Sequence, residues 1–170
     1  YRKVGYEQAG SLARYELPVA EIGSLGRPCP VEAIDSAERA RLLPCYERFA
    51  RERNGLLDRN AGMWTRIHEP FEGKTRIYGA IENGEVTGYL VVWQRNSNPG
   101  YDLDLRDFIA NTQAALSSLW TFLYGYRSQA SKVMWSGPAN DPLQAARVEQ
   151  RNESSSYRCE RWMIRILDVA

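Results

Sequence analysis

The sequence predicts an α/β fold in which a mixed, mostly antiparallel sheet is flanked by helices. Three observations carry this. Two β-rich runs, Arg76–Glu82 (RIYGAIE) and Glu85–Gln94 (EVTGYLVVWQ), are joined by Asn83-Gly84, a pair suited to the positive φ angles of a tight hairpin turn. Tyr101–Ile109 (YDLDLRDFI) alternates Leu103 and Leu105 with Asp102 and Asp104, the period-2 pattern of a half-exposed strand. Thr112–Tyr126 then places Leu116, Leu119, Trp120 and Leu123 at i, i+3, i+4 and i+7, an apolar stripe of the kind that packs a helix on a sheet.

The remaining elements follow in order. Leu12–Ile22 is β-compatible, and Pro18 suggests an edge position, where a missing N–H is tolerated. Gly23–Pro30 (GSLGRPCP) reads as a linker or turn. Asp35-Ser36-Ala37-Glu38 opens a helical pattern with capping residue types, and Pro44 suits the first turn of a second segment that ends near Asn54-Gly55. Met63, Trp64 and Ile67 recur at helical spacing within Arg59–Ile67. After the long helix, Lys132–Trp135 reads as a short strand, Asp141-Pro142 as the start of a helix reaching about Glu149, and Trp162–Val169 as a final strand.

Composition removes several classes of function. A chain of 170 residues suffices for one main domain, and 44% hydrophobic with 25% charged residues is globular rather than disordered. With 22 basic and 21 acidic residues there is no positive excess to hold a phosphate backbone, so nucleic acid is not an expected partner. No apolar run approaches the roughly 20 residues that cross a bilayer. The opening Tyr1-Arg2-Lys3-Val4 does not resemble a signal peptide, so neither a membrane nor export is expected and the location is read as cytoplasmic. Cys29, Cys45 and Cys159 are widely spaced, with His68 as the lone imidazole, which argues against a metal site or a disulfide framework. The chain starts on Tyr and closes on the apolar run Met163–Ala170, and it is expected to be a piece of a longer protein.

The order strand, two helices, three meandering strands, helix, strand, helix, strand over Val31–Val169 resembles the GNAT acetyltransferases. The opening Tyr1-Arg2-Lys3-Val4-Gly5-Tyr6-Glu7 is similar to the Y-x-x-x-G-[FY]-E segment near the C-terminal end of a GNAT domain. Gly55–Arg59, Trp64 and Trp162–Val169 resemble the middle domain of the Eis (enhanced intracellular survival) family of N-acetyltransferases. The resemblance implies residues 1–22 as the tail of a preceding GNAT domain, 23–30 as a linker and 31–170 as a second GNAT-like domain. It further implies a whole enzyme that transfers acetyl from acetyl-CoA to a primary amine: an aminoglycoside, a polyamine or a lysine side chain. In that family a first GNAT domain binds acetyl-CoA, a sterol-carrier-like C-terminal domain lends its terminal carboxylate to catalysis, and the assembly is a homo-oligomer, commonly a hexamer.

A working GNAT site needs a Q/R-x-x-G-x-G/A loop before the long helix, whose backbone N–H groups hold the pyrophosphate. The corresponding stretch is Phe108-Ile109-Ala110-Asn111-Thr112-Gln113, and no glycine lies between Tyr101 and Tyr124. Acetyl-CoA is therefore expected to bind outside this chain, which is expected to serve as structure and pocket wall. On chemistry alone Tyr1 is either a structural aromatic or a proton donor, since a phenol gives a proton yet stays neutral at working pH. The resemblance implies the second, a general acid that protonates the departing CoA thiolate. Trp64 is likewise either a core tryptophan or, by resemblance, an aromatic wall for a cationic amine. Asp102, Asp104 and Asp107 are read as a solvated face, His68 as a surface or capping residue, and Tyr124 and Tyr126 as packing. The competing reading of the chain is a non-catalytic scaffold that builds an oligomer interface.

Overall fold

The computed structural model describes residues 2–69, 74–98, 100–138, 141, 143 and 155–167. Within them lie β1 (Glu7–Pro18), β2 (Val31–Ala33), α1 (Leu42–Arg51), α2 (Ala61–His68), β3 (Lys74–Glu82), β4 (Glu85–Asn96), β5 (Tyr101–Ala110), α3 (Gln113–Tyr124), β6 (Ala130–Gly137) and β7 (Ser155–Ile164). The strands form one sheet in the order β2-β3-β4-β5-β6-β1-β7. Every neighbouring pair is antiparallel except β5 and β6, whose parallel pairing needs the crossover that α3 supplies. The mixed, mostly antiparallel sheet flanked by helices is the fold class the sequence predicts.

The hairpin is as expected: Asn83 (φ 53°) and Gly84 (φ 82°) both take positive φ between β3 and β4. β4 is buried on both faces, which explains its nearly unbroken apolar run. Leu90 and Val92 join a core with Leu119, Trp120 and Leu123 of α3 and with Trp135, while Tyr89 and Val91 join a second core with Leu42, Cys45 and Tyr46 of α1. α3 lies so close to β4 that a Cβ at Gly88 would come within 2.8 Å of the Ala115 methyl and 2.9 Å of the Ile109 carbonyl oxygen. The stretch read as a linker is tied to that helix. The Cys29 amide donates to Ser118 Oγ (3.1 Å) and the Leu25 amide to Thr121 Oγ1 (2.9 Å).

Several expectations need correction. β1 is not an edge strand: it lies between β6 and β7, and Pro18 is tolerated because it ends the strand, paired with Lys132 of β6 and beyond the last β7 partner at Glu16. The final strand spans Ser155–Ile164 rather than Trp162–Val169. Ile164 pairs with Glu7, the first residue of β1, so residues 165–167 have no strand beside them to continue the ladder. Asp35 makes no side-chain capping bond and precedes a 3₁₀ segment, Ser36–Arg41, while Asn60 caps α2 by accepting from the Met63 amide (3.0 Å). The helix expected from Asp141-Pro142 to about Glu149 lies outside the described residues.

Candidate functional site

Two side-chain clusters stand out, and α1 links them. The first surrounds the start of α3. Thr112 is its N-cap: its hydroxyl oxygen accepts from the Ala115 amide (3.0 Å), satisfying one of the donors a helix start leaves open. An amide can only donate, so the Thr112 hydroxyl proton is free to go elsewhere, and it goes to Glu82 Oε1 (2.5 Å). Thr87 Oγ1 donates to the same oxygen (2.5 Å). These bonds, Thr112 foremost and then Thr87, hold the Glu82 carboxyl below its ordinary pKa, so it is the charged form that sits there. The turn is pinned from the other side as well. The Asn111 amide donates to the Thr87 carbonyl (2.9 Å), and Asn111 Nδ2 donates to the Cys45 carbonyl on α1 (2.9 Å).

The second cluster lies on the α1 and α2 side of the sheet. Arg59, just before α2, makes two hydrogen bonds to Asp107 of β5 (2.5 and 3.1 Å), and the Tyr89 hydroxyl donates to the same carboxylate (2.7 Å). The guanidinium carbon stands 3.7 Å from the Tyr46 ring centroid and 5.0 Å from that of Trp64, cation-π contacts in a largely dry setting. Tyr46 meets Trp64 edge-on at 5.4 Å, and its hydroxyl donates to the Leu57 carbonyl (2.6 Å), holding the segment before Arg59 in place. Trp64 in turn covers His68 at 5.1 Å. Burial lowers the His68 pKa, and the charge of Arg39 lowers it further.

Of the residues singled out from sequence, Trp64 is a half-buried member of this aromatic layer, and Tyr1 lies outside the described residues. His68 is buried, not a surface histidine, because it lies under Trp64 on the inner side of α2. The aspartates are not a solvated face. Asp104 is buried and pairs with Arg14 of β1 (2.7 Å), Asp107 holds Arg59, and Asp102 accepts from Ser97 (3.4 Å). For Asp107 the cause is a bulge: Val91 and Val92 face Asp107 and Leu105, which leaves Arg106 as an extra residue in β5. It moves Asp107 to the face of Ile109, in the α1 core, after Leu103 and Leu105 have faced the α3 core. Tyr124 and Tyr126 pack against the α3 core, and Tyr126 shares a 3.2 Å hydroxyl contact with Tyr78.

Sequence reasoning missed Glu82, Thr87, Tyr89 and the role of Arg59. Thr112 before an apolar helix was a visible cap signal, but its partner lies 30 residues away, across a hairpin. Among the described residues no group of His, Cys, Asp and Glu is placed to hold a metal ion, and no helix is long and apolar enough to cross a membrane.

This sheet, with a parallel β5–β6 pair bridged by α3, has close counterparts. The chain superposes on a GCN5-related N-acetyltransferase from Anabaena variabilis with a TM-score of 0.87 and 29% identity, covering 96% of this chain and 42% of that one. A GCN5-related N-acetyltransferase from Kribbella flavida gives 0.72 and 26%, covering 96% and 39%. Eis1 from Mycobacterium abscessus shares the fold, with a TM-score of 0.74 at 22% identity over 97% of this chain and 44% of that one. The chain thus spans about four-tenths of the length of these three structures. No curated protein matches it. Residues 55–166 match the family model described as an acetyltransferase (GNAT) domain, and they run from the loop before Arg59 through α3 to the end of β7. Sequence match and sheet topology agree, and the chain belongs to the GNAT acetyltransferase family.

Proposed function

We propose that this chain is the second, acyl-donor-free GNAT unit of a longer Eis-type N-acetyltransferase acting on primary amines such as an aminoglycoside, a polyamine or a lysine side chain. GNAT domains use acetyl-CoA as co-substrate. The observation that carries the reading is the start of α3, where a pyrophosphate would need close backbone approach to several open N–H groups. The residues present do not fit that group. Side chains occupy every position from Asn111 to Ala114, Thr112 Oγ1 takes the Ala115 amide, and a charged Glu82 is seated on the Thr112 hydroxyl at the helix start. The donor would then be held by a preceding GNAT domain, with residues 1–22 as its tail and 23–30 as the linker.

In this reading Tyr1 is the proton donor to the leaving thiolate, and Trp64 belongs to the wall of the amine pocket. A sterol-carrier-like third domain and assembly into a homo-oligomer complete the proposal, and the location is cytoplasmic. The test is an acetylation assay of the longer protein over an amine panel, comparing wild type with Tyr1→Phe. A general acid contributes about 10²–10⁴-fold, so kcat should fall by that factor while acetyl-CoA affinity holds. A kcat within about threefold of wild type, with chemistry rate-limiting, would remove Tyr1 from the mechanism.

One observation favours the scaffold reading for the chain itself. Trp162, Met163, Ile164, Ile166 and Leu167 are all exposed, at and beyond the end of the edge strand β7. Apolar residues left partly exposed at the end of an edge strand suit a surface covered by other protein.

A further inference from the structure

The hairpin tip and the start of α3 have no covalent reason to meet, yet a carboxylate of the one is seated on the N-cap hydroxyl of the other. Thr112 and Thr87 come from different elements and give their protons to the same oxygen, Glu82 Oε1, each at 2.5 Å. With both hydroxyl protons committed, the group they address must be an acceptor, and the partial positive charge at a helix start favours an anion there. An external phosphate at this place would have to displace Glu82 from both threonines or lie beside a like charge.

We infer that Glu82 is the resident anion of the α3 N-terminus, a built-in carboxylate that fills the place other GNAT domains give to an acyl-donor phosphate and keeps external phosphates out. The inference rests on the reading of this unit as acyl-donor-free, and it names the residue that enforces that state. Missing glycines make the turn a poor cradle. Glu82 makes it an occupied one. The same carboxylate joins the β3–β4 hairpin to the helix, so closing the site and fixing the α3 start are one interaction.

The test is thermal unfolding of the 170-residue chain as wild type, Glu82→Ala and Glu82→Gln, with sodium formate, inorganic phosphate or chloride at matched ionic strength, and separately with acetyl-CoA. Glu82→Ala should lower Tm by about 2–4 °C, the scale of a lost cap in a chain of this size. Formate and phosphate should restore that loss saturably in the variant and leave wild type unmoved, whereas chloride should do nothing. No anion-specific rescue, or equal stabilisation of wild type, would overturn the assignment. If Glu82→Ala does not fold, Glu82→Gln keeps shape without charge. Its deficit against wild type should then close as pH falls below the ordinary carboxyl value of 4.5, and a deficit unchanged through that range would also overturn it. A saturable stabilisation of wild type by acetyl-CoA would instead sink the acyl-donor-free reading, which separates the two failures.

Discussion

Arg59 and Asp107 form a near-buried ion pair, with side chains 13% and 8% exposed, that fastens the segment before α2 to the bulged strand β5. The Tyr46 and Trp64 rings close over the guanidinium. A pair this dry is sensitive to losing one partner, because the survivor keeps the desolvation cost and loses the compensating charge.

Asp107→Ala should therefore destabilise the chain by about 3–5 kcal/mol in urea unfolding, more than the double variant Arg59→Met/Asp107→Leu, which removes both charges. Equal losses in the two would show that packing, and not the unpaired charge, dominates.

His68 gives the chain an acid-side liability. Its folded pKa is depressed below 6.5 by burial and then by Arg39 and Arg59, with Asp107 pulling the other way. Its contribution to stability is complete above the unfolded pKa and is lost as pH falls through the folded one, because the buried neutral ring must take up a proton. Tm should decline from about pH 6.5 downward, and His68→Phe, which keeps a ring beneath Trp64, should flatten that part of the profile. An unchanged slope in the variant would assign the decline to other groups.

The contact between α3 and β4 is tight enough to fail in both directions. Leu119→Ala, at a site with no solvent exposure, should cost about 2–5 kcal/mol through lost burial and a residual cavity. Gly88→Ala should cost about 1–3 kcal/mol because its methyl meets Ala115 and the Ile109 carbonyl below contact distance. A loss under about 1 kcal/mol for Leu119→Ala in chemical denaturation would mean the stripe is misread.

These contacts also show what the sequence could reveal. The Asn83-Gly84 turn and the Leu119-Trp120-Leu123 stripe are local patterns, and both were legible because a few adjacent residues determine them. The neighbours of β1 were not legible, since its insertion between β6 and β7 joins residues more than 100 positions apart, such as Tyr15 and Trp135. The burial of Asp104 and Asp107 was hidden for two reasons. Their partners Arg14 and Arg59 come from distant segments, and for Asp107 one extra residue at Arg106 reverses the face that strict alternation assigns. At the α3 start the missing glycines were visible in sequence, whereas the carboxylate that replaces an external anion was not, because only the folded hairpin brings Glu82 to Thr112.

The proposed acyl-donor-free state of this GNAT unit is open to calorimetric titration of acetyl-CoA into the 170-residue chain. No saturable heat beyond dilution is expected at millimolar ligand, because Glu82 and the side chains of Asn111 to Ala114 crowd the start of α3. A saturable site of micromolar affinity on this chain would contradict it.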